Sequence, residues 1–200
     1  LVFDSGLGGL TVLEQVRRAR PDARYVYAAD DAAFPYGRLS ETILVARVTT
    51  VMERLIARHA PDLIVIACNT ASTLVLPALR AGFSTPFVGV VPPIKPAAEA
   101  TRSRRITLLA TPGTVARPYT HDLIETYARD CSVTLVGSPN LAGFAEAELA
   151  GTPIDDAAHH HHLSARATNP ARCSIARPAF STPCSSSGLP MICKPSGNPS

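Results

Sequence analysis

The stretch LIVIACNTAST, Leu63 to Thr73, runs from an apolar strand pattern straight into a cysteine and then into small polar residues. Cys68 therefore stands where a strand stops and a helix begins, a place where free backbone N–H groups and the helix macrodipole favour a thiolate. The competing reading is a space-filling cysteine, since cysteine is among the most buried residue types. Asn69, Thr70 and Ser72 argue against it, because they are poor core residues and good hydrogen-bonding partners for a carboxylate or an ammonium group.

Outward from this stretch, strand-like runs recur with short helical connections: LVFD (1–4), RYVYAAD (24–30), LIVIAC (63–68), FVGVV (87–91), RITLLAT (105–111) and SVTLVG (132–137). The clearest helix begins after Ser40, which with Glu41 offers an N-cap and an acidic first turn. Ile43, Leu44, Val48, Val51, Met52, Leu55 and Ile56 form one apolar stripe, Arg47, Arg54 and Arg58 line the other side, and Pro61-Asp62 closes the unit. Repeated βα units imply an α/β fold with a mainly parallel sheet flanked by helices. In such sheets ligands sit beyond the carboxyl ends of the strands. Those ends read Asp4-Ser5, Asp30-Asp31, Cys68-Asn69-Thr70, Thr111-Pro112-Gly113-Thr114 and Gly137-Ser138.

Bulk properties narrow the class. The chain has 200 residues, 46% of them hydrophobic, and its apolar runs are strand-sized, so no membrane span is expected. No secretory signal pattern shows at Leu1, and the missing initiator Met suggests that a few residues are lost there. Residues 1–151 carry 15 Lys+Arg against 14 Asp+Glu, which gives no basic footprint for nucleic acid. Arg102, Arg104 and Arg105 read as a solvated turn. The 5 cysteines have no regular spacing and no C-x-x-C pair, as in a reducing, cytoplasmic setting without a zinc site. Cys131, after Asp130 in a helix-to-strand turn, reads as structural.

Rival chemistries fare poorly. FDSGLGGLT (Phe3–Thr11) follows a strand and opens a helix, with Gly6 and Gly8 in a G-x-G arrangement and Asp30 where a ribose-binding acid would sit. Thr11 takes the third glycine position, however, and Asp4 would face the pyrophosphate. The only lysines are Lys95 and Lys194, neither well placed for a Schiff base, and no P-loop, H-E-x-x-H or G-x-S-x-G motif occurs. A strand-end thiol, a nearby carboxylate and a ring of small polar groups suit cofactor-independent proton transfer on a small polar metabolite. Inverting a stereocentre that way requires a group on each face.

FDSGLGGLTVL, AADDAAFPYG, ACNTAS, GVVPPIKPA and LLATPGTV together resemble the glutamate racemase family, within the aspartate/glutamate racemase superfamily, over residues 1–151. The resemblance implies two pseudo-symmetric α/β domains closing over glutamate, no cofactor, no metal, and two cysteines that interconvert L- and D-glutamate from opposite faces of Cα. It also implies a cytoplasmic enzyme supplying D-glutamate for peptidoglycan, hence for cell wall biogenesis and cell shape, with glutamate as partner and a homodimer left open. By this likeness Cys68 is the thiol on the D-glutamate side, Asp4 tunes it, and Ser5 helps hold substrate. Asn69 and Thr70 bind the charged ends of the amino acid, Tyr36 and Gly37 form a substrate loop, and Thr111 and Thr114 face substrate from the second domain. Glu146 corresponds to a catalytic glutamate near the second thiol.

The likeness divides the chain into a first domain (1–92, lacking its return segment), a truncated second domain (93–151) and a Pro/Ser-rich, irregular tail (152–200) holding 7 prolines and 8 serines. The family's second Gly-Cys-Thr-His segment has no counterpart: Cys173 and Cys184 lack both the strand and the Thr-His. His159–His162 reads as a tag-like tract. A frameshifted or truncated gene product with little or no racemisation is the expectation. A non-catalytic remnant, a small-molecule binder and an aspartate racemase are the other readings.

Overall fold

The computed structural model describes residues 1–152. The expectations for the tail, including Cys173, Cys184 and His159–His162, lie outside the described residues.

The first four strands are β1 (Val2–Asp4), β2 (Tyr27–Ala29), β3 (Ile64–Ile66) and β4 (Phe87–Gly89). All pair in parallel, in the order β2-β1-β3-β4. Helices α1 (Gly9–Ala19), α2 (Glu41–His59) and α3 (Asn69–Gly82) connect them, with two short 3-10 turns, Asp31–Ala33 and Tyr36–Arg38, ahead of α2. A second unit follows α4 (Ile94–Ala100): β5 (Arg105–Ala110), α5 (Pro112–Ala116), α6 (Pro118–Tyr127), β6 (Ser132–Gly137) and α7 (Leu141–Leu149). β5 and β6 pair in parallel from Arg105↔Ser132 to Ala110↔Gly137. The α/β architecture of parallel sheets flanked by helices is thus as the sequence implied. β2 is shorter than its sequence run, and Tyr25, ahead of it, donates its hydroxyl to the Val16 and Arg20 carbonyls at the end of α1.

Strand alternation sorts the core onto two faces. Phe3, Ile64 and Ile66 face α2 and α3, where Leu44, Val48, Met52, Val75 and Leu79 are all sealed. Val2, Val65 and Ala67 face the other way, against Val12 and Leu13 of α1 and the ring of Tyr27.

Helix α2 starts at Ser40, whose Oγ accepts from the Ile43 amide at 3.4 Å, and ends at Ala60 in the left-handed region (φ 41°). Its apolar stripe is narrower than expected: Ile43 is 57% exposed, and the buried positions are Leu44, Val48 and Met52. Ile43 lies in the first turn of α2, one residue before the first buried position, Leu44. Arg47 does not simply face solvent either, since it grips Asp30. No helix among the described residues is long and apolar enough to cross a membrane.

The stripe's phase is testable by paired truncations in urea unfolding. Leu44→Ala should cost about 2–5 kcal/mol, as for other sealed leucines, whereas Ile43→Ala should stay within about 0.5 kcal/mol. Equal losses would place the helix in a different rotation.

Candidate functional site at the strand ends

The chain leaves β1 toward β2 on one side of the sheet and leaves β3 toward β4 on the other, so the topological switch point falls between the adjacent strands β1 and β3. In open α/β sheets this is where the crevice for a ligand forms. β1 ends in Asp4 and Ser5 and β3 runs into Ala67 and Cys68, which brings Ser5 Oγ to 3.5 Å from Cys68 Sγ.

Cys68 precedes the first turn of α3 and is only 6% exposed. Its surroundings reverse the expectation of an easily ionised thiol. Burial, and then the negative charge of Asp4, push the Cys68 thiol up to about 11, against the lowering effect of hydrogen bonds from Ser5 and from the Ala71 and Ser5 amides. The helix-mouth effect is present in the Ala71 amide, but loss of hydration outweighs it.

Asp4 is committed to the next loop. Its Oδ2 accepts from the Gly9 amide at 2.8 Å and the Gly6 amide at 3.4 Å, so the protein's own carboxylate occupies the start of α1. This removes the dinucleotide reading, because the amides that a pyrophosphate would use are taken. Gly9 is required there: a Cβ would lie 2.6 Å from Asp4 Cβ and 3.0 Å from Ala67 Cβ. Tyr27, missed by sequence reasoning, donates its hydroxyl to the Gly6 carbonyl at 2.6 Å and fixes the same loop. Burial first, then the charges of Asp4, Glu146 and Cys68, raise the Tyr27 phenol well above its ordinary range.

Two expected substrate groups are held inward. Tyr36 is sealed and donates its hydroxyl to Asp30 Oδ2 at 2.5 Å, while Arg47 donates to both Asp30 oxygens at 2.6 and 2.5 Å. Burial would raise the Asp30 carboxyl, but the Arg47 and Tyr36 hydrogen bonds hold it below its usual value. Asp30 thus anchors the turn before α2, and the Tyr36 ring packs at 6.4 Å from Phe3. Gly37 lies against Thr111, whose Cβ would be 3.2 Å from a Cβ at position 37.

The second unit reaches the rim at three points. Thr111, at the end of β5, shares a hydrogen bond with the Thr70 hydroxyl at 3.1 Å and another with Thr114 Oγ1 at 2.9 Å. Thr114 is sealed, and Asn69 is exposed at the start of α3. Arg117, which sequence reasoning also missed, donates to the Thr70 carbonyl and to Thr73 Oγ1. Glu146 on α7 accepts from the Leu7 amide at 2.6 Å, placing it over the β1–α1 loop. The Gly-Cys-Thr-His segment expected to bring a second thiol beside it does not occur in the sequence. A Cβ on Gly6 would come within 2.6 Å of Glu146 Oε1, so glycine admits that carboxylate. Ser138 is buried in the continuation of β6, and Cys131 sits before that strand, away from the carboxyl ends. No group of three or more His, Cys, Asp or Glu side chains able to hold a metal occurs among the described residues.

The fold and rim therefore define an α/β protein with a thiol, carboxylates and hydroxyls gathered at a parallel-sheet switch point. The family model for Asp/Glu/hydantoin racemases matches residues 10–169, and the chain belongs to that family. The likeness extends beyond the 1–151 stretch that the motifs cover. The chain is 57% identical over 158 residues to the glutamate racemase of Brucella anthropi, an alignment covering 78% of this chain and 57% of that protein. The crystal structure of Escherichia coli glutamate racemase in complex with L-glutamate and the activator UDP-MurNAc-Ala superposes with a TM-score of 0.77 at 46% identity, covering 84% of this chain and 65% of that one. The Aquifex pyrophilus glutamate racemase gives 0.65 at 32% identity, covering 82% and 64%. The chain thus spans less than two thirds of the length of these relatives.

The electrostatic coupling at the rim predicts that Asp4→Asn lowers the pH midpoint of Cys68 alkylation below about 11. Removing a neighbouring negative charge makes the thiolate less costly. Peptide-level mass spectrometry after iodoacetamide pulses reads it, and an unmoved midpoint would dissociate Asp4 from the thiol.

Proposed function

We propose that the chain carries the first half-site of a glutamate racemase, with Cys68 as the acid/base group on one face of the substrate's Cα. The observation that carries this reading is the Ser5–Cys68 contact at the β1/β3 switch point, with the charge of Asp4 close enough to act on the thiol. The relatives' name, glutamate racemase, supports glutamate over aspartate as substrate.

On this reading the resting Cys68 thiol is protonated and gives its proton to a planar, carbanionic Cα. In the reverse direction the thiolate takes the Cα proton. Burial and, after it, the charge of Asp4 hold the thiol neutral, and the substrate ammonium, seated near Asp4, offsets the second of these, so proton abstraction is favoured with an amino acid in place. Asn69 and the Thr70–Thr111 hydroxyls hold the charged ends of the substrate, Ser5 holds the thiol and substrate together, and Tyr36–Gly37 with Thr114 shape the wall. Glu146 serves the side of the site facing the β1–α1 loop. The product would supply D-glutamate for peptidoglycan in the cytoplasm.

Inversion needs a second thiol opposite the first, and the sequence holds no Gly-Cys-Thr-His segment of the kind that supplies it in the family. The 200-residue chain should therefore exchange the Cα proton of one enantiomer without inverting it. Incubation with D- or L-glutamate in deuterated water, followed by mass spectrometry and optical rotation, should show Cα-deuterium from one enantiomer, no racemisation, and loss of exchange in Cys68→Ser. Racemisation at a rate typical of enzymes, or exchange that survives Cys68→Ser, contradicts the assignment.

A further inference from the structure

We propose that Arg117 is a positioning residue for the Cys68 site, reaching across from the second unit to fix the first turn of α3. The proposal rests on the reading of Cys68 as the acid/base group.

Arg117 joins α5 to α6 and is 5% exposed. One terminal guanidinium nitrogen, Nη1, donates to the Thr70 carbonyl and, at 2.7 Å, to Thr73 Oγ1, both in the first turns of α3. Nε donates to Glu41 Oε1 at 3.4 Å, but the Glu41 side chain is 66% exposed. An ion pair of that length and hydration contributes little. Burying a guanidinium is costly, and placing it beside a helix N-terminus sets it against the positive end of the macrodipole. Net electrostatic attraction therefore does not explain the arrangement, whereas fixed geometry does.

Thr70 is held from two directions by the second unit, its carbonyl by Arg117 and its hydroxyl by Thr111 at 3.1 Å. The Thr73 hydroxyl also donates to the Thr70 carbonyl at 3.1 Å, closing a small buried ring of polar contacts. Cys68 is two residues away, tied to the same turn by the Ser72 amide donating to its carbonyl at 2.9 Å. Arg117 is itself braced, since its carbonyl accepts from the Thr120 amide at 3.0 Å and Thr120 Oγ1 donates to the Thr114 carbonyl at 2.6 Å. The charge that acts on Cys68 is that of Asp4 on β1, while Cys68 itself acts on the phenols of Tyr27 on β2 and Tyr36 in the turn before α2. Arg117 meets the site through the Thr70 carbonyl and the Thr73 hydroxyl, so the influence proposed for it passes through the backbone of α3.

The test is the pH profile of Cys68 alkylation in the full chain without glutamate, read peptide by peptide with Cys131 as internal reference. Arg117→Ala should loosen the α3 turn, admit water to the thiol, and lower its midpoint by about one pH unit, making alkylation at pH 8 about tenfold faster. Arg117→Lys should bring the rate back to within about threefold of the parent, and Glu41→Gln should leave the profile unchanged. If Arg117→Ala does not fold, Thr73→Val carries the test, with a smaller acceleration at Cys68 in the same direction. A Cys68 profile that superimposes on the parent's in Arg117→Ala, or in Thr73→Val where that variant carries the test, or an equal acceleration of Cys68 and Cys131, overturns the proposal. Because no glutamate is present, that failure leaves the deuterium-exchange reading of Cys68 untouched, and failure of the exchange experiment leaves this profile interpretable.

Discussion

The backbone ladder between β1 and β3 is the constraint on which the rest of the molecule depends. The Val65 amide donates to the Leu1 carbonyl at 2.8 Å and the Ala67 amide to the Phe3 carbonyl at 2.7 Å. That register brings the ends of the two strands level, so Ser5 meets Cys68. A slip of one residue would exchange Phe3 and Val2 between the two faces of the sheet and separate the hydroxyl from the thiol. The apolar demand of the two cores therefore sets the geometry of the polar rim. Ile64 and Ile66 seal against α2 and α3 while Val65 and Ala67 seal against α1, and Cys68 is placed as a consequence.

Burial at the rim has an electrostatic result. The thiol is held protonated by its surroundings, and Asp4 adds to that effect while its carboxylate is occupied with the amides that begin α1. One residue thus organises a loop and sets the resting state of a neighbouring side chain. The Asp30, Tyr36 and Arg47 cluster does similar structural work behind the site, anchoring the turn whose Gly37 lies against Thr111. Contacts from Thr111, Arg117 and Glu146 then join the second unit to the α3 turn and the β1–α1 loop.

Much of this was legible in the chain. Each of the six apolar runs contains a strand, because short β-rich runs bounded by turn residues and separated by helical periodicity admit few alternatives. Ser40 caps α2 as its type and position imply. The helix stripe was overdrawn at Ile43, since periodicity gives the facing of a helix but not where its cover ends. The thiol's ionisation was misjudged for a related reason: a helix mouth is visible in sequence, whereas the depth of burial that outweighs it is a product of packing. Tyr27 and Arg117 gave no signal at all. A tyrosine within a strand and a lone arginine before a proline look ordinary until the fold brings Gly6 and Thr70 to them.

The proposed role of Cys68, a thiol facing an amino acid's Cα, is supported by the family membership and the rim geometry, in a chain that spans only part of the length of its relatives. The most direct measurement is a crystal structure of this chain grown with D-glutamate. The account predicts the amino acid between the β1–α1 loop and the first turn of α3, its Cα against Cys68 Sγ and its ammonium toward Asp4. Glutamate bound elsewhere, or bound at the rim with the Cys68 thiol turned into the Phe3–Tyr36 cluster and out of its reach, would contradict it.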